Sequence, residues 1–271
     1  MNEAKLIVCD IDNTLVMKHH PLTEYTQSII KKCHEKGILF GLASGRGIKQ
    51  LKVLAEDWQV PSDILIGMNG SELYDGIFDE EEHYYELKPE WIKECFEIMA
   101  PFKSNPGLTR NGVHYVKEYD ANVSASYSYV KQQNTSYPHV VESMDEFWQG
   151  SAVKVGFRVD AKDMPAIEEA VKNHPSKNFI GIKTENTMFE FCHAQASKGA
   201  ILEKFCNKHQ IDLANVYAFG DMTNDISMLE VAGVGVCMLN GSEDTKKVAQ
   251  YITDKAVDED GFAHFVEDYL L

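Results

Sequence analysis

Leu6-Ile7-Val8-Cys9-Asp10-Ile11-Asp12-Asn13-Thr14-Leu15 joins four consecutive apolar residues to two carboxylates spaced two apart, with a hydroxyl two positions further on. A short, continuous apolar run ended by polar residues is the pattern of a strand buried on both faces. The pattern recurs downstream. Thr23 to Lys36 carries apolar residues at helical spacing until Gly37 stops it, and Ile38-Leu39-Phe40-Gly41-Leu42 reads as a second buried strand. Ile48 to Trp58 reads as another helix and Ile64-Leu65-Ile66, before Gly67, as a third strand. Strands of this type alternating with helices predict half of a Rossmann-like, doubly wound parallel sheet, covered on both faces.

Near residue 80 the texture changes. Asp79-Glu80-Glu81-Glu82 is an acidic run, and beyond it Val153, Val155, Phe157 and Val159 alternate with polar or small residues. Period two marks a strand with one buried face. Similar strands read at Val113 to Tyr119, Phe179 to Thr184 and Thr187 to Cys192, with helix-like stretches at Pro89 to Phe102, Ala121 to Gln133 and Ala161 to His174. This is the signature of an antiparallel sheet with helices on one side. From Lys198 the first texture returns: a helix to His209, a strand Val216-Tyr217-Ala218-Phe219, a helix Asn224 to Ala232, and a strand Val234-Gly235-Val236-Cys237. A short helix follows Ser242, and Glu259 to Leu271 closes the chain. The prediction is a discontinuous α/β core, residues 1–80 with 194–271, carrying an inserted α+β domain at 81–193.

The composition narrows the function. Of 271 residues, 26 are Lys or Arg and 42 are Asp or Glu, a formal net charge of −16, with no basic stripe to offset it. Binding a phosphate backbone depends on clustered cations, so nucleic acid is an unfavourable partner, and so is an anionic membrane surface. Six scattered cysteines form no Cys-x-x-Cys pair and no zinc-type Cys/His group. Met1-Asn2-Glu3-Ala4-Lys5 has neither the apolar region nor the cleavage site of a secretory signal, and no run of about 18 apolar residues is present. The expectation is a reduced, cytoplasmic protein. No sequence feature assigns an oligomeric state.

Asp-x-Asp-x-Thr alone is weak, since residue frequencies alone give such a match in roughly one chain of this length in twenty. The plain alternative is a solvated turn. Position argues for more, because open α/β sheets bind ligands beyond the carboxyl ends of their strands, where strand order reverses. A second such end carries Gly220-Asp221-Met222-Thr223-Asn224-Asp225. If the two strands are neighbours, Asp10, Asp12, Asp221 and Asp225 converge, and four crowded carboxylates call for a cation. Oxygen ligands without Cys or His suit Mg²⁺. Ser44-Gly45-Arg46 follows the second strand and is read as opening the next helix, with a hydroxyl and N–H groups for an anion. Lys198, in Ser197-Lys198-Gly199, is the cation best placed to offset both the carboxylates and a phosphate. Singly, such a Ser is usually a cap and such a Lys usually solvated.

With these residues in order, the chain resembles the haloacid-dehalogenase-like phosphohydrolases, specifically the Cof-type subclass IIB with a large α/β cap. Asp10-x-Asp12-x-Thr14, Ser44, Lys198 and Gly220-Asp221-x-x-Asn224-Asp225 match the four motifs of that superfamily, over essentially the whole chain. The resemblance implies a Mg²⁺-dependent phosphatase of small phosphate monoesters: sugar phosphates, phosphorylated cofactors or nucleotides. Asp10 is then the nucleophile forming an aspartyl-phosphate, and Asp12 the general acid and base. Asp10, the backbone carbonyl of Asp12 and Asp221 hold the metal. Ser44, Gly45, Lys198 and Asn224 hold the phosphoryl oxygens, Asp225 orients Lys198 or a metal-bound water, and Thr14 holds the loop's backbone. A domain-sized cap closing over the core would exclude macromolecular substrates. Asn13 stands where most relatives have Gly, and Asn tolerates left-handed backbone best after Gly. The rivals are phosphoryl transfer of the phosphomannomutase-like type and a non-catalytic binding protein. Against the latter, a pure binder has no use for a proton donor beside a nucleophile.

Other residues carry weaker signals. Arg46 reaches either substrate phosphate or a surface acid. His19 and His20 read as a solvated pair, and Cys9 as an inert buried thiol. Asn69-Gly70-Ser71 follows the third strand towards the same cleft; the family often has Asn-Gly there, and a simple turn is the alternative. Tyr115, Tyr119, Tyr127, Tyr129 and Tyr137 of the insert line a pocket or are ordinary aromatics. The Gly45/Gly47 pair is too short for a dinucleotide fingerprint.

Overall fold

The computed structural model describes residues 4–18, 20–110, 113–124 and 137–271. In chain order its strands are β1 Leu6–Cys9, β2 Leu39–Ala43, β3 Ile64–Gly67, β4 Glu72–Asp75, β5 Glu80–His83, β6 Ser104–Arg110, β7 Val113–Val116, β8 His139–Val140, β9 Lys154–Val159, β10 Phe179–Glu185, β11 Met188–His193, β12 Val216–Gly220, β13 Val234–Cys237 and β14 Tyr251–Ile252. They form two sheets in two compact units, residues 1–84 with 196–271, and residues 85–195.

The first unit is an eight-stranded sheet in the order β14-β13-β12-β1-β2-β3-β4-β5. The six strands from β14 to β3 are parallel, and β1, β3, β12 and β13 are buried at every residue. Near-continuous apolar runs produce this, because each such strand is covered on both faces. Ile7, Phe40, Leu42, Phe219, Phe262 and Val266 share the core of one face, where the Phe219 and Phe262 rings meet edge to face at 4.8 Å.

Two boundaries differ from the sequence reading. The acidic run at 79–82 does not open the insert. Glu80–His83 pairs antiparallel with β4 and forms the polar outer edge of the first sheet, where a charged strand is well placed to block further pairing. The hairpin is anchored from beneath by Asp75, whose buried carboxylate accepts from His209 Nε2 (2.8 Å) and pairs with Lys208 Nζ (2.9 Å). The second difference is the helix after β2. It spans Ile48–Asp57 with Gly47 as its N-cap, so Ser44 precedes the helix rather than opening it.

The second unit has a six-stranded sheet, β10-β11-β9-β6-β7-β8. Burial alternates along β9, and the helices Pro89–Met99 and Met164–Lys172 send Ile92, Cys95 and Ile167 into one cluster with Val155, Phe157 and Phe191. β6, with the sequence SNPGLTR, carries no clear alternation and is invisible to a periodicity reading. Most of the helix expected at Ala121 to Gln133, together with Tyr127, Tyr129 and His19, lies outside the described residues.

Candidate active site

Asp10 leaves the sheet where β1 lies between β12 and β2, the place at which strand order reverses. Its N–H donates to the Phe219 carbonyl (2.9 Å), so sheet pairing continues one residue beyond β1. The chain then folds back: Leu15 and Val16 both donate to the Ile11 carbonyl (3.0 Å each), and Asn13 donates to the Val16 carbonyl (2.7 Å). This turn takes a left-handed residue, and Asn13 occupies it at φ 65°. Asn240 Nδ2 holds the Asn13 carbonyl from outside at 2.8 Å. The Thr14 hydroxyl does not hold the loop's own backbone, which is already closed on Ile11. It crosses to Asp221 Oδ1 at 2.9 Å.

The Lys198–His209 helix begins behind this loop, capped by Ser197, whose Oγ accepts from the Ala200 N–H (3.1 Å). Its first residue points Nζ between two buried carboxylates, 2.5 Å from Asp10 Oδ1 and 2.6 Å from Asp225 Oδ1. Lys198 and Asp225 are fully buried and Asp10 nearly so. The other oxygen of Asp225 accepts from the N–H groups of Asp221 (2.9 Å) and Met222 (3.0 Å), binding the end of β12 to the same cation. Gly220 makes this possible, because a β-carbon there would lie 2.4 Å from that of Asp225.

Burial pushes the Asp10 carboxyl up to about 8, with Asp225 and Asp221 adding to it and Lys198 pulling the other way. Asp221 is pushed up to about 6 by burial and by Asp225, against the Thr14 hydrogen bond. Burial works against the charge on Lys198, but Asp10 and Asp225 outweigh it and hold the ammonium above its ordinary range.

Carboxylate oxygens of Asp10, Asp221 and Asp225 lie within 4.8 Å of one another. Both oxygens of Asp225 are already engaged, whereas Oδ2 of Asp10 and Oδ2 of Asp221 face no hydrogen-bond donor among the described residues. Two such oxygens fit a hard, oxygen-seeking cation such as Mg²⁺. The expected fourth member, Asp12, is not in this group. Its carboxylate is taken by Arg46, whose Nη2 lies 2.8 Å from Oδ1 and 2.9 Å from Oδ2, with Nε at 3.3 Å from Oδ2. A planar guanidinium matches a carboxylate better than three crowded acids do. Ser44 is buried, with its hydroxyl accepting from the Arg46 N–H (3.3 Å). Asn224 is exposed and donates from Nδ2 to Asn69 Oδ1 at 3.2 Å.

The model of haloacid dehalogenase-like hydrolases matches residues 7–266. The chain belongs to the haloacid dehalogenase-like hydrolase family. It is a phosphohydrolase. The 5-amino-6-(5-phospho-D-ribitylamino)uracil phosphatase YcsE of Bacillus subtilis is 27% identical, aligned over 99% of this chain and 97% of its own. Among solved structures, a haloacid dehalogenase-like hydrolase from Bacteroides thetaiotaomicron superposes with a TM-score of 0.84 at 22% identity, covering 98% of this chain and 99% of that one. A subclass IIB sugar phosphatase does so at 0.81 and 21%, again over 98% and 99%. These two likenesses establish the fold.

In this haloacid dehalogenase-like hydrolase some marked residues take no part in the cluster's hydrogen bonds. His20 is exposed. Cys9 is fully buried beside the cluster, and burial together with Asp10 and Asp225 pushes its thiol far up, leaving it inert. Tyr119 and Tyr137 are exposed and stack on each other at 5.3 Å, while Tyr115 packs against the core of its own unit. Asn240, which the sequence reading misses, carried no local signal: a polar residue after a strand is ordinary until the fold sets it beside Asn13. Among the described residues no helix is long and apolar enough to cross a membrane.

Proposed function

We propose that the protein is a Mg²⁺-dependent phosphatase of small phosphate monoesters, working through an aspartyl-phosphate on Asp10. The observation that carries this reading is the buried Lys198, which fixes one oxygen of Asp10 and, among the described residues, leaves the other without a donor. A carboxylate needs no separate base to act as a nucleophile. It attacks phosphorus as the ester P–O bond breaks, and Asp12 gives its proton to the departing alkoxide. Water then attacks the phosphorus of the acyl phosphate, Asp12 takes the water's proton, and inorganic phosphate leaves with the Asp10 carboxylate restored. Mg²⁺, held by Asp10, Asp221 and the Asp12 carbonyl, would keep Asp10 ionised and offset charge on the phosphoryl oxygens.

Ser44, Gly45, Lys198 and Asn224 are assigned to those oxygens, and Asp225 to holding Lys198. Arg46 orients Asp12. Choice among phosphate esters is assigned to residues 85–195. Six cysteines, all unpaired, agree with a cytoplasmic enzyme. The first ester to try is the one named for the Bacillus subtilis relative, 5-amino-6-(5-phospho-D-ribitylamino)uracil, beside a panel of sugar phosphates and nucleotides compared by kcat/KM. The test of the chemistry is hydrolysis of p-nitrophenyl phosphate. EDTA abolishes it, excess Mg²⁺ restores it and Asp10→Asn eliminates it; robust turnover by that variant overturns the reading.

A further inference from the structure

The turn after β3 touches several elements of the proposed phosphate site, and the mechanism above makes no use of it. Met68 (φ 49°), Asn69 (φ 54°) and Gly70 (φ 102°) occupy left-handed backbone in succession. Two of the three carry a β-carbon, for which this conformation costs free energy, so the surroundings must impose it. They do so from two sides. Met68 N–H donates to the Arg46 carbonyl (2.9 Å) and Asn69 N–H to the Ser44 carbonyl (3.0 Å). Opposite, Gly70 lies so close to the cap of the Lys198–His209 helix that a β-carbon on it would sit 2.1 Å from the Ser197 carbonyl oxygen. The turn is wedged between the Ser44–Arg46 loop and the helix that carries Lys198.

The Asn69 side chain extends the same bridge. Its Nδ2 sits where Gly45 leaves room, since a β-carbon on Gly45 would come within 3.3 Å of it. Its Oδ1 accepts from Asn224 Nδ2. Asn224 is exposed, on the single turn Thr223–Asp225, and among the described residues Asn69 is its side chain's hydrogen-bond partner. An exposed carboxamide held by nothing else rotates freely, and ordering it on binding costs conformational entropy. The bond to Asn69 selects one orientation and uses one of the two Nδ2 hydrogens, leaving the other for an anion.

We infer that Asn69 is a positioning residue for phosphate: it presets the Asn224 amide so that a phosphoryl group binds without a rotamer search. The inference rests on Asn224 as a phosphate ligand in the function proposed above. A double-mutant cycle on the full chain tests it, with Asn69→Gly, Asn224→Ala and the double variant. Glycine keeps the left-handed backbone and removes only the amide. For each corner, KM and kcat with p-nitrophenyl phosphate and the inhibition constant of inorganic phosphate are measured well below that variant's melting temperature.

Asn69→Gly is expected to raise KM and the phosphate constant by roughly two- to tenfold, with a smaller change in kcat. Asn224→Ala raises them at least as much, and the double variant is no worse than Asn224→Ala alone. The inference is overturned by wild-type constants in Asn69→Gly, by wild-type constants in Asn224→Ala, or by a double variant that loses the product of the two single effects. A wild-type chain that neither hydrolyses phosphate esters nor binds phosphate is a different result: all four corners are then silent, and the proposed function falls together with the inference.

Discussion

Arg46 grips both carboxylate oxygens of Asp12, with Nη2 at 2.8 Å and 2.9 Å. A forked contact of this kind fixes the plane of the carboxylate, which a point charge does not. If Asp12 protonates the leaving oxygen, its orientation matters most for esters whose alcohol leaves poorly. Arg46→Lys should therefore lower kcat/KM roughly tenfold for an alkyl phosphate such as a sugar phosphate. The loss should be much smaller for p-nitrophenyl phosphate, whose phenolate leaves readily. Asp12→Asn should show the same contrast more strongly, losing on the order of 10²- to 10⁴-fold on the alkyl ester. Equal losses on both esters would place Arg46 on the phosphoryl group instead.

Lys198→Met leaves Asp10 and Asp225 facing each other in a fully buried site. Removing one partner of a buried ion pair costs about 3–5 kcal/mol, so the urea midpoint should drop sharply and turnover should vanish. Millimolar Mg²⁺ should recover part of the midpoint without recovering turnover. A variant as stable as the wild type would show that the Lys198 ammonium makes no net stabilising ion pair in the native chain.

Both Asp10, pushed up to about 8, and Asp221, pushed up to about 6, have folded-state values above the ordinary 3.8. The native state thus keeps protons that the unfolded chain releases, so these groups weaken the metal-free fold progressively from about pH 4 to about pH 8. A cation bound to the same oxygens displaces the protons. The rise in melting temperature on adding Mg²⁺ should be larger at pH 8 than at pH 6, with proton release on binding measurable by calorimetry in buffers of different ionisation heat. A stabilisation independent of pH would remove Asp10 and Asp221 as ligands.

Asp75 is fully buried. Burial alone would raise its carboxyl, but hydrogen bonds from Lys208 and His209 outweigh it and hold the group below the usual range. A lowered folded-state value gives stability that is present above about pH 4 and lost as acid protonates the group. Asp75→Asn should cost about 2–4 kcal/mol in urea unfolding at pH 7 and flatten the stability loss below pH 4. kcat and KM on p-nitrophenyl phosphate should stay at wild-type values, because the residue anchors the β4–β5 hairpin away from the Asp10 cluster.

The elements were legible wherever hydrophobic period and capping agree over a few residues. Leu6–Cys9 and Val216–Gly220 are continuous apolar runs and became central parallel strands, and Ser197 marks the start of a helix that runs from Lys198 to His209, as the pattern predicts. Legibility failed where the pattern is ambiguous. SNPGLTR forms β6 with Pro and Gly inside it, and an acidic run became an edge strand because its partner β4 supplies the pairing. Ser44 looked like a helix cap only because Gly47, the actual cap, has no side chain to announce it.

By itself, then, the sequence determined the class of fold, the strand ends at which polar side chains gather, and the set of residues to watch. Only the tertiary structure decided which of them meet. Lys198 reaches Asp10 across 188 positions, Thr14 reaches Asp221 across 207, and Asn224 reaches Asn69 across 155. It also turned Asp12 out of the acidic cluster and onto Arg46, and brought in Asn240, a residue with no local mark. The reason is physical. Period and capping are set by neighbours within a turn or two of chain, whereas the partner of a buried charge is set by which strand ends pack side by side and by what desolvation leaves it to pair with.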